Sequence, residues 1–375
     1  MIYLDHNATT PVLPEVVEAM LPWLTSHWGN PSSIYGPGRL AKRAVEAARE
    51  QVAHLVGANP EQVIFTSGAT EANNSAIHSS IFRDSSRRHL ITSAVEHSAV
   101  LGYCDYLERT HGVAVTRLPV NRHGAIATAD LIAALRPETA LVSLMWANNE
   151  TGVIWPIAEY ASICAAAGVA FHTDAVQAIG KIPVHFGECG SSLLSLSGHK
   201  FGAPKGIGAL VIAEPDNFVP LIYGGKQECG MRGGTESVPL IVALGAATIS
   251  SKRGTDCWNE IGQLRDEFET SLIERIPSAM INGCESARLP NTSNIHLPGL
   301  DGDALVTFLD QQGICVSSGS ACLESAITAS HVIQAMTGSH ERASESIRIS
   351  LNHRTTSEEL KSMLLSLTHF VELAG

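Results

Sequence analysis

The sequence predicts an α/β fold: a large domain on a mainly parallel, seven-stranded sheet, with a smaller α+β domain beside it. Apolar runs of strand length alternate with helical patterns from about residue 60 to 250. After a Gly-rich stretch, Gly224 to Gly234, the texture changes to strand, helix, strand. The chain has 375 residues, 45% of them hydrophobic, which is more than one small core needs.

The expected strands of the large sheet are Gln62–Thr66, His89–Ser93, Ala114–Leu118, Ala140–Met145, Ala170–Thr173, Leu193–Ser197 and Ile207–Ile212. Amphipathic stretches at Ser98–Arg109, Thr128–Leu135 and Ile157–Ala167 separate several of them, so helices should cover both faces. Arg39–Val56 carries no Gly or Pro and reads as a strong helix. A long helical pattern starts near Asp256, followed by Asn294–Leu297, Asp303–Gln312, Cys315–Ser317 and Ser346–Leu351. The division expected is residues 16–255 for the large domain, with 1–15 and 256–375 forming the smaller one.

A net charge of −12 lacks the basic footprint that direct nucleic-acid binding needs. The start shows no basic or apolar leader and no run approaches ~20 apolar residues, so neither a secretory signal nor a membrane span is expected. The eight cysteines are scattered without a C-x-x-C pair, which reads as reduced thiols in a cytoplasm. The 16 histidines show no H-x-x-x-H spacing, so no metal site is expected.

Ligands in such sheets sit at the carboxyl ends of the strands, and two polar groups mark those ends. Lys200 closes the run Ser-Leu-Leu-Ser-Leu-Ser-Gly-His-Lys, with Ser197 and His199 beside it. Asp174 closes Phe-His-Thr-Asp, and Gln177 follows it. A lysine that forms an imine and an acid that keeps a pyridine nitrogen protonated are what pyridoxal phosphate (PLP) chemistry needs. Read singly, Lys200 and Lys205 are loop lysines, Asp174 is a helix cap and Gln177 its capping-box partner. Thr66-Ser67-Gly68-Ala69-Thr70-Glu71 follows a strand and opens a helix, a place where small residues admit a phosphate. His97 is either structural or a ring-stacking group, and Asn148 and Asn149 fall where polar groups would meet a ligand. Arg348, in Ser-Ile-Arg-Ile-Ser, is a half-exposed strand residue or a carboxylate clamp. Cys322 sits in a small-residue run that favours an exposed, reactive thiol; the other seven cysteines read as buried and inert.

In this order the motifs resemble the cysteine desulfurases of the NifS/IscS group, within the class V aminotransferases of PLP fold type I. The likeness runs from Tyr-Leu-Asp-His-Asn-Ala-Thr-Thr (Tyr3 to Thr10) through Gly-Asn-Pro-Ser-Ser (Gly29 to Ser33). It continues in Met-Trp-Ala-Asn-Asn-Glu-Thr-Gly (Met145 to Gly152), His-Thr-Asp-Ala-Val-Gln (His172 to Gln177) and Ser-Gly-His-Lys (Ser197 to Lys200). Ser-Ser-Gly-Ser-Ala-Cys, ending at Cys322, is similar to the subgroup with a long cysteine loop.

The resemblance implies that Lys200 holds PLP and shuttles the Cα proton. It sets Asp174 against the pyridine nitrogen, Gln177 against the phenolate oxygen and His97 on the ring. It gives the phosphate to Ala69, Thr70, Ser197 and His199, with Thr235 reaching the phosphate of a second copy in a homodimer. Asn149 and Arg348 would hold the carboxylate of L-cysteine. Cys322 would take the sulfur as a persulfide, release L-alanine and pass the sulfur to an acceptor or scaffold protein.

Iron–sulfur cluster assembly is the first expectation for that acceptor, with tRNA thiolation and DNA sulfur modification as alternatives. Selenocysteine lyase, another class V transaminase and a non-enzymatic scaffold are the competing activities. The chain departs from the family pattern between Leu323 and His331 and at Lys226 and Cys229, and it stops at Gly375, earlier than many relatives.

Overall fold

The computed structural model describes residues 1–251, 255–318 and 329–374. The strands are β1 (Ile2–Tyr3), β2 (Val63–Thr66), β3 (His89–Ser93), β4 (Ala114–Leu118), β5 (Thr139–Met145), β6 (Ala170–Asp174), β7 (Leu193–Ser197) and β8 (Gly208–Ile212). They continue with β9 (Met280–Ile281), β10 (Thr292–His296), β11 (Ile314–Cys315), β12 (Ser317–Ser318) and β13 (Ser346–Ser350). Seven of them form one sheet in the order β2-β8-β7-β6-β5-β3-β4.

All neighbours in this sheet are parallel except β8, which runs antiparallel to both β2 and β7. Pattern alone could not separate this from a parallel strand, because every residue of β8 is buried whichever way it runs.

Side-chain alternation sorts the sheet's residues onto two covers. Val63, Phe65, Leu194, Leu196 and Val211 pack with the helices Gly36–Val56 and Val238–Ser251. Ile64, Leu90, Leu141, Leu193 and Leu210 pack with Ala69–Phe82 and Ser98–His111. Each fully buried Leu or Ile contributes about 1.5–3 kcal/mol. The helix Gly36–Val56 buries Ala41, Val45, Ala48, Val52 and Val56, a stripe at helical spacing, and ends on Gly57 at φ 65°. It begins before Arg39 because a first turn tolerates Pro37, which lacks only an N–H that no helix bond needs.

A four-stranded antiparallel sheet, β12-β13-β10-β9, lies later in the chain. The expected strand Cys315–Ser317 is instead two short ones, β11 and β12, in different sheets. Ile295, Ile347 and Ile349 pack there with Phe268, Leu309 and Met363 of three helices. The N-terminus joins this part: β1 pairs with β11, and Leu4 enters the same core. No described helix is long and apolar enough to cross a membrane.

Candidate active site

Strand β6 ends on Asp174, and its hydrogen-bonded neighbour β7 runs into a short turn, Gly198–Lys200. The turn needs glycine at 198: a Cβ there would stand 2.8 Å from the Ala203 Cβ and 2.9 Å from Leu244. The two strand ends deliver Asp174 and Lys200 into one cavity of about 460 Å³. The same cavity is lined by Ala69, Thr70, His97, Asn149, Gln177, Ser197, His199 and Arg348. Ten of the residues expected from sequence therefore converge.

The Asp174 carboxylate accepts from Asn73 Nδ2 (2.7 Å) and the Val176 N–H (3.0 Å). A turn follows it, and the Gln177 side chain bonds elsewhere, so the cap and capping-box alternatives fall. Lys200 Nζ donates to the backbone oxygens of Asn7 (2.6 Å) and Ala8 (2.8 Å). Ser67, Gly68, Ala69 and Thr70 bring the N-terminus of the helix Ala69–Phe82 to the wall. Its first-turn N–H groups have no partner within the helix, and its dipole favours an anion. Close approach here also depends on Gly208, whose Cβ would stand 2.8 Å from the Gly68 backbone.

Two imidazoles flank Lys200. The His97 ring accepts from the Ala99 N–H at Nδ1 (3.1 Å), which places its own proton on Nε2. Burial lowers its pKa, Asp174 opposes that, and Lys200 and His331 add to it. His199 contacts Thr9 Oγ1 (3.1 Å) and is pushed down to about 4 by burial, then by Lys200 and Lys205. Both rings are neutral at physiological pH.

Arg348, on β13, is 4% exposed, which removes the half-exposed reading. Its guanidinium donates to Asp5 Oδ1 (2.6 Å) and to the Asn149 backbone oxygen (3.0 Å). Its Nε and the Asn149 Oδ1 are buried without a protein partner. Asn148 is structural instead: its Oδ1 accepts the N–H groups of Glu150 and Thr151, both at 2.9 Å.

Three further observations complete or correct the expectations. Thr235 is exposed and lies outside the cavity of its own chain. Cys322 lies outside the described residues. Among the other cysteines, only Cys104, Cys164 and Cys189 are buried; Cys257 and Cys315 are half-buried and Cys229 and Cys284 exposed, so the buried reading fails for the last two and holds only in part for the middle pair. Cys229 lies in the short turn Gln227–Gly230 and Cys284 on a turn after β9, both at the surface.

Sequence reasoning missed Asn73, Asn7 as a junction, and Lys181. The Asn7 side chain receives Lys181 Nζ (2.8 Å) and Asn291 Nδ2 (3.0 Å) and donates to Thr292 Oγ1 (2.9 Å). The motif Asp-His-Asn near the N-terminus was visible. Its partners, more than 170 residues away, were not.

Residues 2–363 match the family Aminotransferase class-V. A cysteine desulfurase of Cereibacter sphaeroides is 48% identical over 99% of this chain and 96% of its own length. A solved NifS-like protein superposes with a TM-score of 0.92 at 34% identity, covering 99% of both chains. A structure described as SspA in complex with cysteine gives a TM-score of 0.84 at 36% identity, covering 95% of this chain and all of that one.

Proposed function

The chain belongs to the aminotransferase class-V family and acts as a cysteine desulfurase, and we propose that it does so with PLP carried on Lys200 and Cys322 as the sulfur-accepting thiol. The observation that carries this reading is the meeting of Lys200, Asp174, a helix N-terminus and Arg348 in one cavity. The donor set fits the cofactor: an amine, a carboxylate fixed by two N–H donors, and a phosphate-sized turn of small residues. The unpartnered Asn149 Oδ1 and Arg348 Nε fit a zwitterionic amino acid.

When bound, PLP supplies an electron sink for charge developing at the substrate Cα. Lys200 would hold it and would move the Cα proton of the substrate. Asp174, fixed by Asn73 and the Val176 N–H, would face the pyridine nitrogen, and Gln177 would meet the phenolate oxygen. His97 covers the ring as a neutral imidazole. Thr70, Ser197, His199 and the Ala69 backbone hold the phosphate. Arg348 and Asn149 orient the carboxylate of L-cysteine. The Cys322 thiolate would attack the substrate sulfur; the Cβ–S bond would break with its electron pair left on the Cβ side, which takes a proton, so that L-alanine leaves while Cys322 keeps the sulfur as a persulfide.

Residues 16–255 form the cofactor-binding domain, with 1–15 and 256–375 as the smaller one; the packing of Leu4 with the late strands supports this division. The active unit is a cytoplasmic homodimer, in which the exposed Thr235 serves the phosphate of the other copy. An iron–sulfur scaffold protein receives the sulfur.

The test is turnover with L-cysteine. Alanine should form, and mass spectrometry should find one extra sulfur on the peptide that carries Cys322. Undiminished alanine from the Cys322→Ser variant would refute the sulfur-acceptor assignment.

A further inference from the structure

Lys181 is 5% exposed and lies in the turn after β6. A buried ammonium is costly, and among the described residues this amine bonds to neutral partners, Gln177 Oε1 at 2.6 Å and Asn7 Oδ1 at 2.8 Å. As an ammonium Lys181 can only donate, so the Gln177 oxygen faces it. Gln177 Nε2 independently donates to the Asn7 backbone oxygen (3.0 Å), an atom that can only accept. Both partners thus agree on the amide's orientation, which is otherwise ambiguous, and the Asn7 oxygen demands it in either protonation state of the lysine. One Nε2 hydrogen remains, on a side chain that lines the cavity beside Lys200.

We propose that Lys181 is a positioning residue: it locks the Gln177 amide so that its free N–H faces the cofactor's phenolate oxygen. The inference rests on the PLP reading and deepens it. An amide turned the other way would present an oxygen to that anion. The charged and titratable groups facing Lys181 are Lys200 from the turn after β7, Arg348 from β13 and His6 from the N-terminal segment. Glu15, His353 and Arg354 line a second cavity that Lys181 also borders. Burial first, then Lys200 and Arg348, lower its pKa, and the neutral amine still has the two donors it uses.

The readout is the pH midpoint of the visible band of the PLP-loaded enzyme. A donor on the phenolate weakens that oxygen's hold on the proton of the linked Lys200 nitrogen. Losing the donor raises the midpoint. Lys181→Met should shift it upward by roughly one unit. Gln177→Leu, the second variant, should shift it the same way even if the first does not fold, and the double variant should move it no further. An unchanged midpoint in either single variant, or additive shifts in the double, would overturn the proposal. A wild-type chain with no band after PLP addition would overturn the cofactor reading, and this inference with it.

Discussion

Lys200 Nζ and the backbone oxygen of Asn7 stand 2.6 Å apart although 193 residues separate them in the chain. The same asparagine touches Lys181 and Gln177 behind the site, and Asn291 and Thr292 at the start of β10. The N-terminal segment therefore ties the large sheet to the later part of the chain at the point where chemistry is assigned.

Asn7→Ala removes one acceptor from two buried donors, Lys181 and Asn291. Unsatisfied buried groups cost about 1–3 kcal/mol each, so urea unfolding should show a loss of about 2–6 kcal/mol. The backbone oxygen that receives Lys200 and Gln177 remains, so turnover should fall by less than about tenfold. A variant within about 0.5 kcal/mol of wild type would show that the junction is not structural.

Asp174→Asn keeps the shape and removes the charge. Cofactor loading should persist, while alanine production falls on the order of a hundredfold or more, the scale of losing one positioned charged group. Equal rates for variant and wild type would remove Asp174 from the machinery.

Glu96 is fully buried, and burial, opposed by donors from Ser93 and Met145, pushes its pKa up to about 8. The unfolded carboxyl titrates near ~4.3, so the folded state binds the extra proton between those values. This group's contribution to stability therefore declines as pH rises from about 4 to about 8. Glu96→Gln should flatten that slope in thermal unfolding across the window; an unaltered slope would contradict the assignment.

Glu228 closes a two-bond ion pair with Arg49 (2.7 and 2.8 Å) and accepts the Phe65 N–H of edge strand β2 (2.9 Å). Breaking a buried pair by removing one partner costs about 3–5 kcal/mol, and Glu228→Ala should show it. Replacing both partners with apolar residues should cost less. A single-variant loss below about 1 kcal/mol would mark the pair as a solvated one.

How far the sequence reached follows from the range of each interaction. Strands such as Leu193–Ser197 and the stripe Ala41, Val45, Ala48, Val52 were legible because burial writes itself into local periodicity. So were Lys200 and Asp174, each closing a local run. The reversed direction of β8 was hidden, since a strand buried on both faces reads the same either way. Lys181 was hidden because four-residue spacing to Gln177 looks like any helical or turn pair until Asn7 arrives from the other end of the chain.

The most direct test is to reduce the PLP-loaded protein with borohydride and map the modified peptide by mass spectrometry. One pyridoxyl group on Lys200, absent from Lys181 and Lys205, is the predicted result. A label on either of those two lysines, or on none, would contradict the account.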